Sequence, residues 1–243
     1  MADLPLSPAL MIRGALIAGM LGFVAFTGAA RAAPPVVIEL FTAQGCASCG
    51  EASAHAASLA TQKDVVALTW SVDYWDYLGW KDTFAKPEFA ERQRAYAAKL
   101  GVAEVYTPQV VVDGRDQTPG VKADDVDKLV RDARHDPFDP PQMRFRGARI
   151  AVGSGRVPTG GADIWLVRYD PREQDIEVKD GENRGHKVVE RNVVVELQRL
   201  GPWRGRPVLL PLPAASASGL KTLVLVQGSH GGKILGVLED GGS

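Results

Sequence analysis

Two cysteines are all that the 243-residue chain contains. That excludes a four-thiolate zinc site and a multi-bridge disulfide scaffold. An excess of charge of either sign is also missing: 28 basic against 29 acidic residues leave a formal net charge of −1. A nucleic-acid binder normally carries a basic excess on some face, so that class is set aside. Internal repeats and low-complexity segments are absent, and after residue 30 no stretch is apolar enough to span a bilayer. What is present is an ordinary globular balance, 45% hydrophobic and 23% charged, over a length that allows one large domain or two modest ones. The expectation is a soluble, roughly neutral protein built around one cysteine pair, with no metal and no bound cofactor.

The first residues read as a leader. Arg13 precedes an apolar run from Gly14 to Ala30, and Ala30-Arg31-Ala32 has the small-x-small form of a signal-peptidase site. Residues 1–32 are therefore expected to be a signal peptide cut after Ala32, leaving a periplasmic or secreted chain with no membrane attachment. The competing reading is a retained single-span anchor. Export alters the meaning of the cysteines, because outside the cytoplasm a pair spaced as Cys46-Ala47-Ser48-Cys49 can be oxidised. A bridge over so small a ring staples a fold weakly, since the entropic gain grows with loop length. Its usual value is chemical: one sulfur before a helix N-terminus is activated by the dipole and free amides, and the second resolves the mixed disulfide.

The flanking pattern supports that placement. Val36 to Phe41 is a continuous apolar strand signal interrupted only by Glu39, Thr42 to Gly45 turns the chain, and Gly50 to Ala60 is alanine-rich and helix-compatible. Val65 to Val72 is the next strand. Pro87 to Leu100 reads as a helix with proline in its first turn and Gly101 at its end. Thr107-Pro108-Gln109-Val110-Val111-Val112 is a strand closed by the Asp113-Gly114 turn, and Asp124 to Arg134 is a short helix. The order is β-α-β-α-β-α.

Glu39-Leu40-Phe41, the Cys46-Ala47-Ser48-Cys49 turn and Thr107-Pro108-Gln109-Val110 together resemble the thioredoxin and glutaredoxin superfamily. More narrowly, the run from Val72 to Asp82 (Val-Asp-Tyr-Trp-Asp-Tyr-Leu-Gly-Trp-Lys-Asp) is similar to the signature of a bacterial family of predicted secreted proteins of unknown function. That family joins a thioredoxin-like domain to a C-terminal β domain, and the resemblance spans roughly residues 36–238. It implies an α/β thioredoxin-like fold, a dithiol site at Cys46 and Cys49, and a cis Thr107–Pro108 peptide packed against the sulfurs. It supplies no substrate. The chain departs from thioredoxin in lacking a tryptophan before Cys46 and Gly-Pro between the cysteines, and it lacks the histidine found between the cysteines of many oxidising relatives.

A domain boundary is expected where proline and acid interrupt all periodicity, from Asp136 to Pro141. This divides the mature chain into a thioredoxin-like domain (33–136), a linker (137–141) and a mainly-β, sandwich-like domain (142–243). Strand signals there are Met143–Val152, Ala162–Tyr169, Gln174–Val178, Lys187–Leu200, Val208–Leu212, Lys221–Gln227 and Lys233–Leu238. The segment Asp180 to His186 reads as a polar hairpin loop, with partner recognition as the alternative.

The expected chemistry is that of a thiol–disulfide oxidoreductase or redox sensor acting on protein thiols or disulfides. Cys46 is expected to be the exposed, attacking thiol and Cys49 the resolving one, with Thr107 and Pro108 completing the site. Glu39, the one charge in an apolar strand, is expected to be buried beneath the dithiol and to assist deprotonation of Cys49. Tyr74, Trp75 and Asp76 lie in an aromatic cluster with Trp70, Tyr77 and Trp80 and are the substrate-binding candidates, core packing being the alternative. Two rival readings are Cu(I) capture by the same two soft sulfurs and a non-catalytic adaptor that binds a protein partner through the β domain.

Overall fold

The computed structural model describes Met1, residues 34–136 and residues 139–241. The expected leader and part of the expected linker lie outside the described residues. Among the described residues the chain is a mixed α/β protein with one large sheet and three α-helices. Strand β1 (Val36–Thr42) is buried at every position, and helix α1 (Cys49–Leu59) follows it directly. A crossover then returns the chain to β2 (Val65–Ser71), parallel to β1 with Val36 opposite Val65. Helix α2 (Pro87–Leu100) starts on its proline and stops at Gly101, whose φ of 69° suits glycine. Strand β3 (Gln109–Val112) pairs antiparallel with the other side of β1. Asp113 and Gly114, both at positive φ, turn it into β4 (Asp116–Pro119). The sequence reading has no counterpart for β4, because Asp-Gln-Thr-Pro carries neither alternation nor β-branched apolar residues. Helix α3 (Ala123–Arg134) closes this half.

The strand period of two divides β1 between two cores. Val36, Ile38 and Leu40 pack with Ala52, Ala56 and Leu59 of α1 and with Val126 and Val130 of α3. Val37 and Phe41 pack on the opposite face with Trp70, Phe89 and Tyr96, so α2 covers that side. A strand enclosed on both faces is why Val36 to Phe41 reads as an unbroken apolar run.

The second half contains β5 (Met143–Phe145), β6 (Arg149–Val152), β7 (Ala162–Asp170), β8 (Gln174–Glu177), β9 (Lys187–Glu190), β10 (Val193–Trp203), β11 (Val208–Pro211), β12 (Lys221–Gly228) and β13 (Ile234–Glu239). Here the expected domain division needs correction. The large sheet runs in the order β13-β12-β7-β10-β2-β1-β3-β4, so strands from both halves form one surface. Residues 33–243 form one compact unit. The seam is hydrogen-bonded: Val193 of β10 lies opposite Thr69 of β2, Thr69 donates to the Asn192 and Arg191 carbonyls, and the Asn192 side-chain Nδ2 donates to the Ala67 carbonyl. Proline and acid after residue 135 mark the end of regular backbone; they carry no information on whether the next strands rejoin the same sheet.

The sandwich-like packing is local. A small sheet of order β11-β6-β5 covers one face of β7 and β12, with Ile150 and Val152 against Ile164, Leu166, Val224, Val226 and Trp203. The long apolar run after Lys187 divides into β9 and β10. The β8–β9 hairpin does not join the large sheet; β9 packs on α1 instead. That arrangement carries the second half to the cysteines.

Candidate functional site

The Cys46–Cys49 turn forms where β1 ends and α1 begins. The Cys46 amide donates to the Ala43 carbonyl at 3.0 Å and the Cys49 amide to the Cys46 carbonyl at 3.1 Å, which curls the chain into the helix. The two cysteines are joined in a disulfide with an S–S distance of 2.08 Å and Cα atoms 5.5 Å apart. Ala47 and Ser48 between them are exposed, but the expectation of an exposed Cys46 is corrected: Cys46 is 1% and Cys49 3% exposed. Cys46 precedes the helix and Cys49 is its first residue. Both belong to the buried cluster that includes Phe41 and Trp70, and the loop before β9 is bonded to the turn.

That loop is anchored by Asn183, whose side-chain amide donates to the Gln44 carbonyl at 2.7 Å and the Cys46 carbonyl at 3.0 Å. A cavity of about 570 Å³ lies beside it. It is lined by Cys46, Cys49 and Ser53 from the first half and by His186, Glu190 and Arg191 from the second. Gln44 ties the turn to the rest of the site. Its backbone N–H donates to Asp82 at 2.7 Å, and its side-chain oxygen accepts from Trp80 Nε1 at 2.9 Å and from the Thr83 amide at 3.2 Å.

The other sequence-derived candidates separate into groups. The Thr107–Pro108 peptide is cis. Pro108 is buried where Gly120 faces both it and Ala52 of α1; a Cβ at Gly120 would lie 2.9 Å from the Ala52 Cβ and 3.1 Å from the Pro108 Cβ. The Thr107 hydroxyl is buried with no hydrogen-bond partner among the described residues.

Glu39 is fully buried, on the α2 face of β1. Its carboxylate accepts from Arg92 Nε at 2.7 Å and Nη2 at 3.0 Å, and from the Tyr96 hydroxyl. The compensating cation that β1 itself lacks thus comes from α2. Arg92 also lies over the Trp70 and Tyr96 rings, 5.0 and 5.1 Å from their centroids. Both oxygens of Glu39 are engaged in this structural pair, and among the described residues none of its partners is a cysteine.

Tyr74, Trp75 and Asp76 do not line the cavity beside the disulfide. Tyr74 and Trp75 pack against the core cluster that includes both cysteines. The Tyr74 hydroxyl donates to Gln93, and burial pushes its pKa up to about 12. Asp76 accepts from the Asp82 amide at 3.0 Å. Of the remaining cluster, Trp70 is core, Trp80 is bound to Gln44, and Tyr77 is 83% exposed. The segment therefore buttresses the turn through Gln44 and Asp82. His55 of α1 is half-buried and pairs with Asp127 of α3 at 3.0 Å. No group of three or more metal-ligating side chains occurs among the described residues.

The sequence reading missed Asn183, Gln44, Asp82 and Glu190. Asp82 is buried and accepts backbone N–H groups from Gln44, Phe84 and Ala85. Glu190 is 1% exposed, and neither carboxyl oxygen has a hydrogen-bond partner among the described residues. Burial first, and the charge of Asp82 second, push its pKa up to about 8. A glutamate ending a Lys-Val-Val-Glu strand is ordinary in sequence. Its burial depends on β9 lying across α1, which no local signal announces.

Fold and site together define a mixed α/β protein whose β-rich half closes over a Cys-x-x-Cys disulfide. A family model described as "Protein of unknown function (DUF1223)" matches residues 37–227, and the chain belongs to that family. A protein of Agrobacterium tumefaciens (AGR_C_4864), known from an X-ray crystal structure, is 33% identical, with a TM-score of 0.65 over 86% of this chain and 95% of that one. HBP35 of Porphyromonas gingivalis is 12% identical, with a TM-score of 0.56 over 85% of this chain and 74% of that one, a likeness of fold alone. No curated protein matches.

Proposed function

We propose that this chain is an exported thiol–disulfide oxidoreductase or redox sensor, that its first half is thioredoxin-like, and that its Cys46–Cys49 pair exchanges with thiols or disulfides of other proteins. The observation that carries the reading is a two-residue-spaced disulfide at a strand–helix junction that, though buried, borders a cavity. The strand order β2-β1-β3-β4, with a parallel β1–β2 crossover and antiparallel β3 and β4, supports the thioredoxin-like reading. The apolar run before Ala33 supports export into a compartment where disulfides persist.

In the reducing direction the Cys46 thiolate attacks a substrate disulfide. A Cys46–substrate bond forms, the substrate S–S bond breaks, and the leaving sulfur takes a proton from solvent. Cys49 then loses its proton, bonds to Cys46 and expels the second substrate thiol. The oxidising direction is the same path reversed. The first turn of α1 favours thiolate at both sulfurs, because its amide N–H groups lack intrahelical acceptors and its dipole is positive there.

Trapping tests the reading. Cys49→Ser in the reduced chain is expected to accumulate mixed disulfides through Cys46 with insulin or a disulfide-bonded peptide, whereas Cys46→Ser accumulates none. Equal trapping by both variants, or by neither, overturns the assignment.

A further inference from the structure

We infer that Glu190, supplied by the second half of the chain, exchanges a proton with the Cys46–Cys49 pair as the disulfide opens and closes. The inference rests on the thiol–disulfide reading above and names the acid that the reading lacks. Glu39 does not fill that role, because Arg92 and Tyr96 occupy both of its oxygens. Glu190 lines the same cavity as both sulfurs, at the end of the strand that packs on α1, and its carboxyl has no protein hydrogen bond among the described residues. A buried carboxyl left without a hydrogen bond is destabilising, so its place beside the disulfide calls for a role other than structure.

The protonation state follows from its neighbour. Burial raises the Asp82 carboxyl, but three backbone N–H donors oppose that rise; Glu190 has no donor and faces the Asp82 charge, so Glu190 is the one of the two that keeps its proton at neutral pH. The groups facing this region are few. Asp82 and Asp76 come from the segment before α2. Glu173 and His186 come from the two ends of the hairpin, Lys187 from β9 pairs with Asp175, and Arg191 follows β9. On α1, Glu51 is exposed and His55 is held by Asp127.

An incoming thiolate attacks Cys46 Sγ and forms a new S–S bond. The Cys46–Cys49 bond breaks, the electron pair leaves on Cys49 Sγ, and the Glu190 proton neutralises it. In the reverse direction the Glu190 carboxylate takes the Cys49 proton as Cys49 displaces the bound thiol.

The test follows reduction of the oxidised full-length protein by dithiothreitol from pH 6 to 9.5, with each rate divided by the thiolate concentration. Wild type is expected to fall about tenfold or more through a step near pH 8, the scale of a general-acid contribution. Glu190→Gln keeps shape but has no proton to transfer, so its profile is expected to be flat at the lower level. His186→Gln is expected to retain the step. Asp82→Asn is expected to move the step to lower pH, which tests the assignment independently if Glu190→Gln fails to fold. A folded Glu190→Gln profile superposable on wild type, or a step that Asp82→Asn leaves in place, overturns the inference alone. A wild-type disulfide that no thiol opens in the folded protein overturns the oxidoreductase reading and this inference with it.

Discussion

Replacing Arg92 by leucine isolates what the buried pair beneath β1 contributes. Glu39 is fully buried and the Arg92 side chain 6% exposed, and the two meet through paired hydrogen bonds of 2.7 and 3.0 Å. Removing one partner of such a pair leaves an uncompensated charge and costs about 3–5 kcal/mol. Loss of the cation over Trp70 and Tyr96 adds about 0.5–2 kcal/mol. For a unit of 33–243, each kcal/mol shifts Tm by about 2–4 °C, so Arg92→Leu is expected to lower it by about 7–28 °C. The double variant Glu39→Leu/Arg92→Leu removes both charges, and Tyr96 keeps a donor in Gln227 at 2.9 Å. It is expected to recover most of the loss, because hydrophobic replacement of a buried pair is often neutral. Urea unfolding of the four proteins of the cycle, with the disulfide intact, measures the coupling. Additive losses, with the double variant as unstable as the two singles summed, refute the reasoning. Thiol-exchange rates of the folded variants are expected to stay within about twofold of wild type; a collapse of exchange in Glu39→Gln would restore Glu39 to the chemistry.

Asn183→Ala removes the two hydrogen bonds that hold the loop over the turn. At about 1 kcal/mol each, it is expected to raise the rate of reduction by a bulky protein dithiol by up to about thirtyfold and by a small thiol much less; equal acceleration by both reductants counts against the latch. Glu190→Gln should also change stability with pH. The wild-type native state keeps a proton that the unfolded chain has released, so its stability is full below about pH 4.5 and declines as pH rises to about 8. The variant lacks that decline, worth about 3–5 kcal/mol at 1.36 kcal/mol per pH unit, and parallel urea midpoints of the two proteins at pH 5 and pH 9 would contradict it. Export predicts that protein recovered from the native compartment begins at Ala33; an intact Met1 form in the membrane fraction contradicts that.

The first half was largely legible because its signals are local. An apolar run enclosed on both faces, a proline-started and glycine-stopped helix, and Asp113-Gly114 each report a conformation decided within a few residues. β4 was missed for the same reason, since its pairing with β3 alone makes Asp116–Pro119 a strand. The joining of β10 to β2 was illegible, because the proline and acid after residue 135 describe the linker backbone and not the destination of the strands. The cysteine pair was legible in sequence, but its surroundings were not. Asn183 lies 137 residues from Cys46, and Glu190 is buried only because β9 lies across α1. Glu39 showed the opposite failure: a buried charge in a strand was correctly seen, while its partner Arg92, 53 residues away, decides what that charge does.

The most direct test of the central claim is equilibration of the folded wild-type chain with graded mixtures of reduced and oxidised glutathione, followed by acid quench, alkylation and intact mass. The account predicts a single two-electron transition in which Cys46 and Cys49 gain labels together, reversible from either direction while circular dichroism stays native. A pair that remains unlabelled at every ratio, or that is reduced only as the fold is lost, would make the bridge a structural one and contradict the account.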